Sequence, residues 1–333
     1  MKKILLVATG GTIASSESEH GLSPSFDAEG LLALVPEIKD ICDISGKLIM
    51  NIDSTNMSPN MMIKIAQTIY ENYHEYDGFV VTHGTDTMGY TSAALSYMLQ
   101  NIKKTVVVTG SQIAIGALYT DAKKNISDAI RFAIEGMPGI FVAFDGKIIN
   151  GTRAKKIRTR SMNAFESINS PYVAEIKLGK VTFNKDIHEI IKVDASKPFK
   201  LQTSLCTDIM VIKLFTGIKP DIFDFVKNHY KGVIIESFGI GGIPSQEYNI
   251  VEKVKELIES GVVVVITTQC LEEGIDLGIY EVGQELAKNA VICAGDMNIE
   301  AIIAKLMWAL GNFENMDDIK YFIETPVLGD ISA

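Results

Sequence analysis

The sequence predicts an α/β fold made of two α/β domains: a larger N-terminal one with a mostly parallel sheet and an antiparallel extension, and a smaller C-terminal one with a parallel sheet. Three observations carry that prediction. Short runs of apolar, often β-branched residues alternate with amphipathic stretches through most of the chain, as in βαβ units around a parallel sheet. The alternation breaks over "NKDIHEIIKVDASKPFKLQTSL" and then resumes. A chain of 333 residues, 47% hydrophobic and 22% charged, also has enough material for two cores. The expected division is residues 1–184, a connector over 185–205, and a second domain over 206–333.

In the first domain the expected strands are "KILLVAT", "LIMNI", "GFVVTH", "TVVVTG" and "GIFVAF". Such near-continuous apolar runs suit strands whose two faces are both covered by helices. The helices between them are "PNMMIKIAQTIYENY", opened by Pro59, then "TSAALSYMLQNI", then "DAKKNISDAIRFAIEG", closed by Gly136. Asp145 and Gly146 in "FDGKIINGTR" signal a hairpin, hence the antiparallel extension. The second domain reads as strands "DIMVIKLF", "GVIIESFG", "GVVVVITTQ" and "AVICAG", with helices near 219–229, 248–260, 281–289, 297–311 and 315–324.

Composition narrows the function. A formal charge of -10 argues against a nucleic-acid surface, which concentrates Lys and Arg. No apolar run approaches the ~20 residues that span a bilayer, so no membrane role is expected. The run Ile4 to Ala8 behind Lys2 and Lys3 is too short for a signal-peptide core. Cys42, Cys206, Cys270 and Cys293 are widely spaced, which suits free thiols in a reducing cytoplasm. The five histidines are equally scattered, so no zinc site is expected.

Ligands of open parallel sheets bind beyond the carboxyl ends of the strands. Four polar clusters fall there: "TGGT", "NIDSTNM", "THGTDTM" and "VTGSQ". Alone, "TGGT" reads equally as a tight turn with a satisfied threonine; its spacing is neither GxGxxG nor a P-loop. "GIGG" at 239–242 reads as a turn where backbone approaches backbone. In "HGTDTM" a helix N-cap is the plain reading of Thr85 or Asp86, yet a cap needs one such residue and this cluster offers three. A nucleophilic threonine needs a base. His83 can simply pack beside its strand end, whereas "RAKKIR" offers Lys155 and Lys156 among Arg153 and Arg158. The plainer reading of that cluster is an exposed basic loop.

Together the motifs resemble a family. "TGGTIAS", "DGFVVTHGTDTMGYTSAALSYML", "VVVTGSQ" and "GTRAKKIRTRSMNAFESINSP" are similar to those of bacterial and archaeal L-asparaginases of the cytoplasmic type I group, and "GIGGIP", "TTQC" and "AGDMNIEAIIAKLMWALG" extend the likeness to the second domain. The resemblance implies hydrolysis of the L-asparagine side-chain amide through an acyl-enzyme. It implies Thr12 as the primary nucleophile, with Thr85, Asp86 and Lys156 as a linked polar triad, Lys156 being the third residue after the arginine of "GTRAKK". It implies that Asp53, Ser54 and Thr55 form the clamp for the α-carboxylate, that Asp86 meets the α-ammonium, and that the Ser111 carbonyl meets the amide nitrogen. It also implies no metal or organic cofactor, and a homo-oligomer, either a dimer or a dimer of dimers.

Two positions depart from the family pattern. Leu22 stands where a loop tyrosine is usual, in a segment from Ser15 to Phe26 that suits a closing lid, so either another hydroxyl such as Ser23 or Ser25 compensates or activity is reduced. Glu236 stands where some members carry an arginine for an allosteric asparagine site, and a glutamate cannot fork onto a carboxylate, so that site is expected to be absent or altered. The rival readings are the amidase subunit of a glutamyl-tRNA amidotransferase, which carries an added N-terminal domain and whose tRNA partner sits poorly with the net charge, and a catalytically silent amino-acid binding protein.

Overall fold

The computed structural model describes residues 1–11, 13, 15–18, 21–24, 28–33, 35–194, 196–278 and 291–332. They form two compact units, Met1–Thr203 and Ser204–Ala333.

The first unit is built on an eight-stranded sheet. Its parallel part comprises β1 (Lys3–Gly10), β4 (Asp43–Ile52), β5 (Gly78–Thr82), β7 (Thr105–Thr109) and β8 (Gly139–Phe144). The short strands β2 (Ser15–Ser18) and β3 (Gly21–Pro24) form a separate antiparallel hairpin, and β6 (Leu99–Gln100) pairs outside the main sheet. β5, β7 and β8 are buried along their whole length, which explains their unbroken apolar runs. Helices α1 (Ala28–Ala33), α2 (Pro59–Glu71), α3 (Met88–Met98) and α4 (Ala122–Glu135) cover the sheet. In α4 the buried residues Ala122, Ile126, Ala129, Ile130 and Ala133 recur at helical spacing, and Gly136 ends the helix in the left-handed region at φ +80°. Phe132 of α4 meets Phe141 of β8 edge to face at 5.1 Å.

The order across the sheet decides where a ligand can sit. The parallel strands run β4-β1-β5-β7-β8, so the chain moves from β1 to one side and then crosses to the other. Counted in chain order this is 2-1-3-4-5, with its switch point between β1 and β5. The antiparallel extension follows: β9 (Lys147–Asn150) turns back on β8 through Asp145 and Gly146, both at positive φ, and β12 (Ala174–Lys177) and β13 (Lys180–Phe183) continue it to the edge. Between β9 and β12 the chain forms a two-stranded hairpin of β10 (Ala154–Lys156) and β11 (Phe165–Ser167).

The segment read as a plain connector is partly structured. It holds α5 (Ile187–Ile190) and β14 (Lys200–Leu201), the latter paired with β6. Two-residue strands carry no periodicity, so only the pairing reveals them.

The second unit has a four-stranded parallel sheet in simple chain order: β15 (Ile209–Lys213), β16 (Gly232–Ser237), β17 (Val263–Thr268) and β18 (Ile292–Cys293). Helices α6 (Asp221–His229), α7 (Ile250–Glu259), α8 (Ile299–Asn312) and α9 (Met316–Glu324) accompany it. Asn249, Asn298 and Asn315 cap α7, α8 and α9 by accepting from backbone N–H groups of the first turn. Leu214, Phe223, Val226, Val233, Val254 and Ile266 form part of the core. "GIGG" is a tight turn closed by an antiparallel bridge between Phe238 and Gly242. The helix expected near 281–289 lies outside the described residues. Among the described residues no helix is long and apolar enough to cross a membrane.

Candidate active site

The first step toward the site is made by missing side chains. Gly10 ends β1 at φ +97°, Gly11 follows it at φ +82°, and Gly11 N–H donates to Ile52 O at 2.9 Å. A Cβ on Gly11 would sit 2.5 Å from the Gly84 nitrogen, and one on Gly84 would sit 2.4 Å from Ser54 Oγ. The loops after β1, β4 and β5 therefore meet at the switch point with no room for a further carbon. Thr12 itself lies outside the described residues, as do Ser25 and the side chains of Leu22 and Ser23. In the segment expected to act as a lid, the backbone of Leu22 pairs opposite Glu17 in the β2–β3 hairpin.

The loop after β5 carries the groups that could do chemistry. Thr85 is 6% exposed. Neither it nor Asp86 caps α3; the N-cap is Thr87, and the Thr87 hydroxyl donates instead to Ser54 O at 2.8 Å. Tertiary contact with the β4 loop thus overrides the local capping preference, and Thr85 and Asp86 are left for other partners. Beneath them His83 is fully buried, with Nδ1 2.7 Å from Gly84 O and Nε2 2.9 Å from Thr91 Oγ1. Burial lowers its pKa to about 4, against the opposing pull of the Gly84 carbonyl. It is a structural neutral imidazole.

The partner of Thr85 and Asp86 arrives from the antiparallel extension. Lys156 Nζ donates to Thr85 Oγ1 at 2.7 Å and to Asp86 Oδ1 at 2.7 Å. The Lys156 side chain is 18% exposed and that of Asp86 is 54% exposed, so the ammonium is sheltered while the carboxylate remains open to a ligand. The "RAKKIR" cluster is therefore no exposed loop. Arg153 is buried at 1% exposure with Nη1 3.4 Å from Ile168 O, and Lys155 and Lys156 alternate along β10 opposite Glu166 and Phe165. Strand parity sends only Lys156 to Thr85.

A charge network braces that hairpin. Glu166 accepts from Lys147 Nζ at 3.3 Å, from Arg158 Nη1 at 3.2 Å and from the Tyr172 hydroxyl, while Lys147 Nζ donates to Tyr172 at 2.6 Å. Burial pushes the Glu166 carboxyl up, but the bonds from Tyr172, Arg158 and Lys147 together hold it below its ordinary range.

The remaining predicted residues lie close by in different roles. Asp53 Oδ1 accepts from both the backbone N–H and the hydroxyl of Thr55, each at 2.9 Å, so Asp53 shapes its own turn. Ser54 is buried against Gly84, and Ser111 turns its hydroxyl to Ile113 O at 2.7 Å. Gln112 was not among the residues expected from the sequence. Its Oε1 stands 3.2 Å from Thr85 Oγ1, making it a direct neighbour of the triad. The available signal was its place beside Ser111 at a strand end. Among the described residues no group of three or more His, Cys, Asp or Glu gathers as metal ligands would.

Comparison with known proteins accords with this geometry. Residues 3–189 match the family model described as Asparaginase, N-terminal, and residues 208–322 match that of the Glutaminase/Asparaginase C-terminal domain. The chain belongs to the asparaginase family. Within that family, an L-asparaginase of Thermococcus kodakarensis is 39% identical over 332 residues, covering 99% of each chain. The solved thermostable L-asparaginase from that organism superposes with a TM-score of 0.94 at 38% identity, covering 99% of each chain. L-asparaginase I from Vibrio cholerae superposes with a TM-score of 0.89 at 31% identity, covering 100% of this chain and 99% of that one. A glutamyl-tRNA(Gln) amidotransferase subunit of Pyrococcus abyssi is 34% identical over 345 residues, spanning 100% of this chain and 77% of that one.

Proposed function

We propose that the protein is an L-asparaginase that hydrolyses the side-chain amide of L-asparagine to L-aspartate and ammonia through a threonine acyl-enzyme. The observation that carries this reading is Lys156 Nζ at 2.7 Å from both Thr85 Oγ1 and Asp86 Oδ1, beside the switch point. In the first step the Thr12 oxygen adds to the amide carbon, its proton passes to the departing nitrogen, and ammonia leaves an aspartyl ester. In the second, water adds to the ester carbon. Lys156 acts as the base that draws the Thr85 proton, Thr85 takes one from the water, and a proton returns to Thr12 as the ester bond breaks.

The other residues bind and orient. Asp86, half exposed, holds Lys156 and meets the α-ammonium of the substrate. Ser54 and Thr55 take the α-carboxylate on a turn shaped by Asp53, and the Ser111 carbonyl faces the leaving nitrogen. Backbone N–H groups near Thr12 and Thr85 stabilise the oxyanion. Hydroxyls, one lysine and fixed dipoles supply every transfer, so the scheme uses no metal or organic cofactor. The four free cysteines suit a reducing, cytoplasmic setting. Assembly as a dimer or dimer of dimers is carried by the family resemblance, and light scattering of the purified protein tests it.

The higher identity to an L-asparaginase, 39% against 34% for the amidotransferase subunit, together with a net charge of -10, favours this reading over a tRNA-dependent amidase. Ammonia release from L-asparagine, D-asparagine and L-glutamine by the purified chain is the test. Release from L-asparagine that disappears in Thr12→Ala and Thr85→Ala supports the scheme. Tight binding of L-asparagine without ammonia would make the protein an amino-acid binder instead.

A further inference from the structure

The hydrogen bonds around Thr85 have a direction that the triad alone does not explain. Thr85 has one hydroxyl proton and two neighbours, Lys156 Nζ at 2.7 Å and Gln112 Oε1 at 3.2 Å. The amide of Gln112 is oriented by its other end: Nε2 donates to Ser161 O at 3.2 Å, which leaves Oε1, an acceptor only, toward Thr85. Thr85 must therefore give its proton to Gln112 and receive one from Lys156. The backbone of Gln112 is fixed as well, since its N–H donates to Asp121 Oδ2 at 3.0 Å and that of Ile113 donates to Asp121 Oδ1 at 3.0 Å. Asp121 is itself held by Asn125, whose Nδ2 lies 3.1 Å from Oδ2.

We infer that Gln112 is the positioning residue of Thr85. It holds the threonine hydroxyl in one rotamer, with a lone pair aimed at Lys156 and the proton parked on the amide. For Thr85 to pass that proton to Lys156 acting as base, the hydroxyl turns about its C–O bond, exchanging the Gln112 acceptor for the lysine nitrogen while its oxygen stays in place. The bridge also links the two loops that must keep register, because Ser161 lies in the β10–β11 hairpin that delivers Lys156. A side chain at 112 without an acceptor leaves Thr85 free to rotate and removes one tie between the β7 loop and that hairpin.

The inference rests on the reading of Thr85 and Lys156 as the relay of an asparaginase, and one experiment separates the two. Ammonia release from L-asparagine is measured for the full chain and for Thr85→Ala, Gln112→Met and Gln112→Glu, with the pH dependence of kcat/KM for the active forms and a thermal melt for each. Gln112→Met is expected to lower kcat roughly tenfold, because the Thr85 oxygen is no longer held in place opposite Lys156, with KM changed by no more than about twofold. Gln112→Glu keeps an acceptor for Thr85 and recovers part of that loss. It adds a carboxylate beside Thr85, the hydroxyl that Lys156 contacts, and moves the acid limb of the profile upward, since a further negative charge favours the protonated form of the relay. A folded Gln112→Met with unchanged kcat overturns the inference, as does an unshifted acid limb in Gln112→Glu, which decides the matter alone if Gln112→Met does not fold. No ammonia from the unaltered chain, or full activity in Thr85→Ala, instead overturns the underlying asparaginase reading.

Discussion

Both units are parallel α/β sheets whose strands end in polar residues, yet they use those residues differently. In the second unit Ser237 Oγ donates to Thr267 O at 2.6 Å, Thr268 donates to Gly239 O, and Gln269 Nε2 donates to Leu214 O at 2.6 Å and Glu236 O at 3.0 Å. Each of these side chains closes on backbone. In the first unit Thr85, Asp86, Lys156 and Gln112 bond side chain to side chain. Strand order separates the two cases. The second sheet runs in simple chain order, while the first reverses between β1 and β5 and so opens a crevice at that point. Polar strand ends bond to one another beside a crevice where the sheet order reverses, and close on backbone where it does not.

The comparison is broken most directly at the triad. Thr85→Ala or Lys156→Met should reduce kcat for ammonia release by about 10³-fold or more while the melting temperature changes little, because the loss is in proton transfer. In the second unit the largest effect should be on stability. Lys305 and Asp330 form a pair at 2.8 Å with both side chains 0% exposed, and Lys305 Nζ also donates to Thr325 O at 2.8 Å. Asp330→Ala leaves a buried ammonium without its carboxylate and should cost about 3–5 kcal/mol in urea unfolding. Activity per folded molecule should hold; a fall in kcat as large as that of Thr85→Ala would erase the distinction between the units.

Acid sharpens the contrast on the first side. His83 has its pKa lowered to about 4 from 6.5, so at neutral pH it is uncharged folded or unfolded. Between about pH 6.5 and 4 the unfolded chain binds a proton that the native chain refuses, and stability falls by on the order of 3 kcal/mol across that window. His83→Asn should remove this component, so that its unfolding free energy declines less steeply than that of the unaltered chain from pH 7 to pH 4. The smallest effect is expected at Ser237→Ala, about 1 kcal/mol of stability with kcat unchanged, as one buried hydrogen bond to a carbonyl is lost.

Legibility in the sequence followed the length of the pattern. β5, β7 and β8 are apolar runs of five or six residues and could be read directly, as could the Asp145–Gly146 turn and the close of α4 at Gly136. Thr85 and Asp86 stood out because three capping residues followed one strand. The choice between Lys155 and Lys156 could not be read from composition, because β10 has three residues and too little periodicity to fix its faces. Gln112 escaped because its part depends on Ser161, 49 residues away along the chain. The Glu166 brace and the Lys305–Asp330 pair were hidden for the same reason: single long-range contacts leave no local trace.

The abutment of Gly11 on Gly84 carries a consequence for how such a site can change. The spacing between the first and third strand-end loops is set by hydrogen atoms where other residues have carbons, so it already stands at its lower limit. Substitution at either glycine can only widen the gap. The two loops can therefore be moved apart at this seam but not drawn closer, so any tightening between them must come from side chains that reach in from elsewhere.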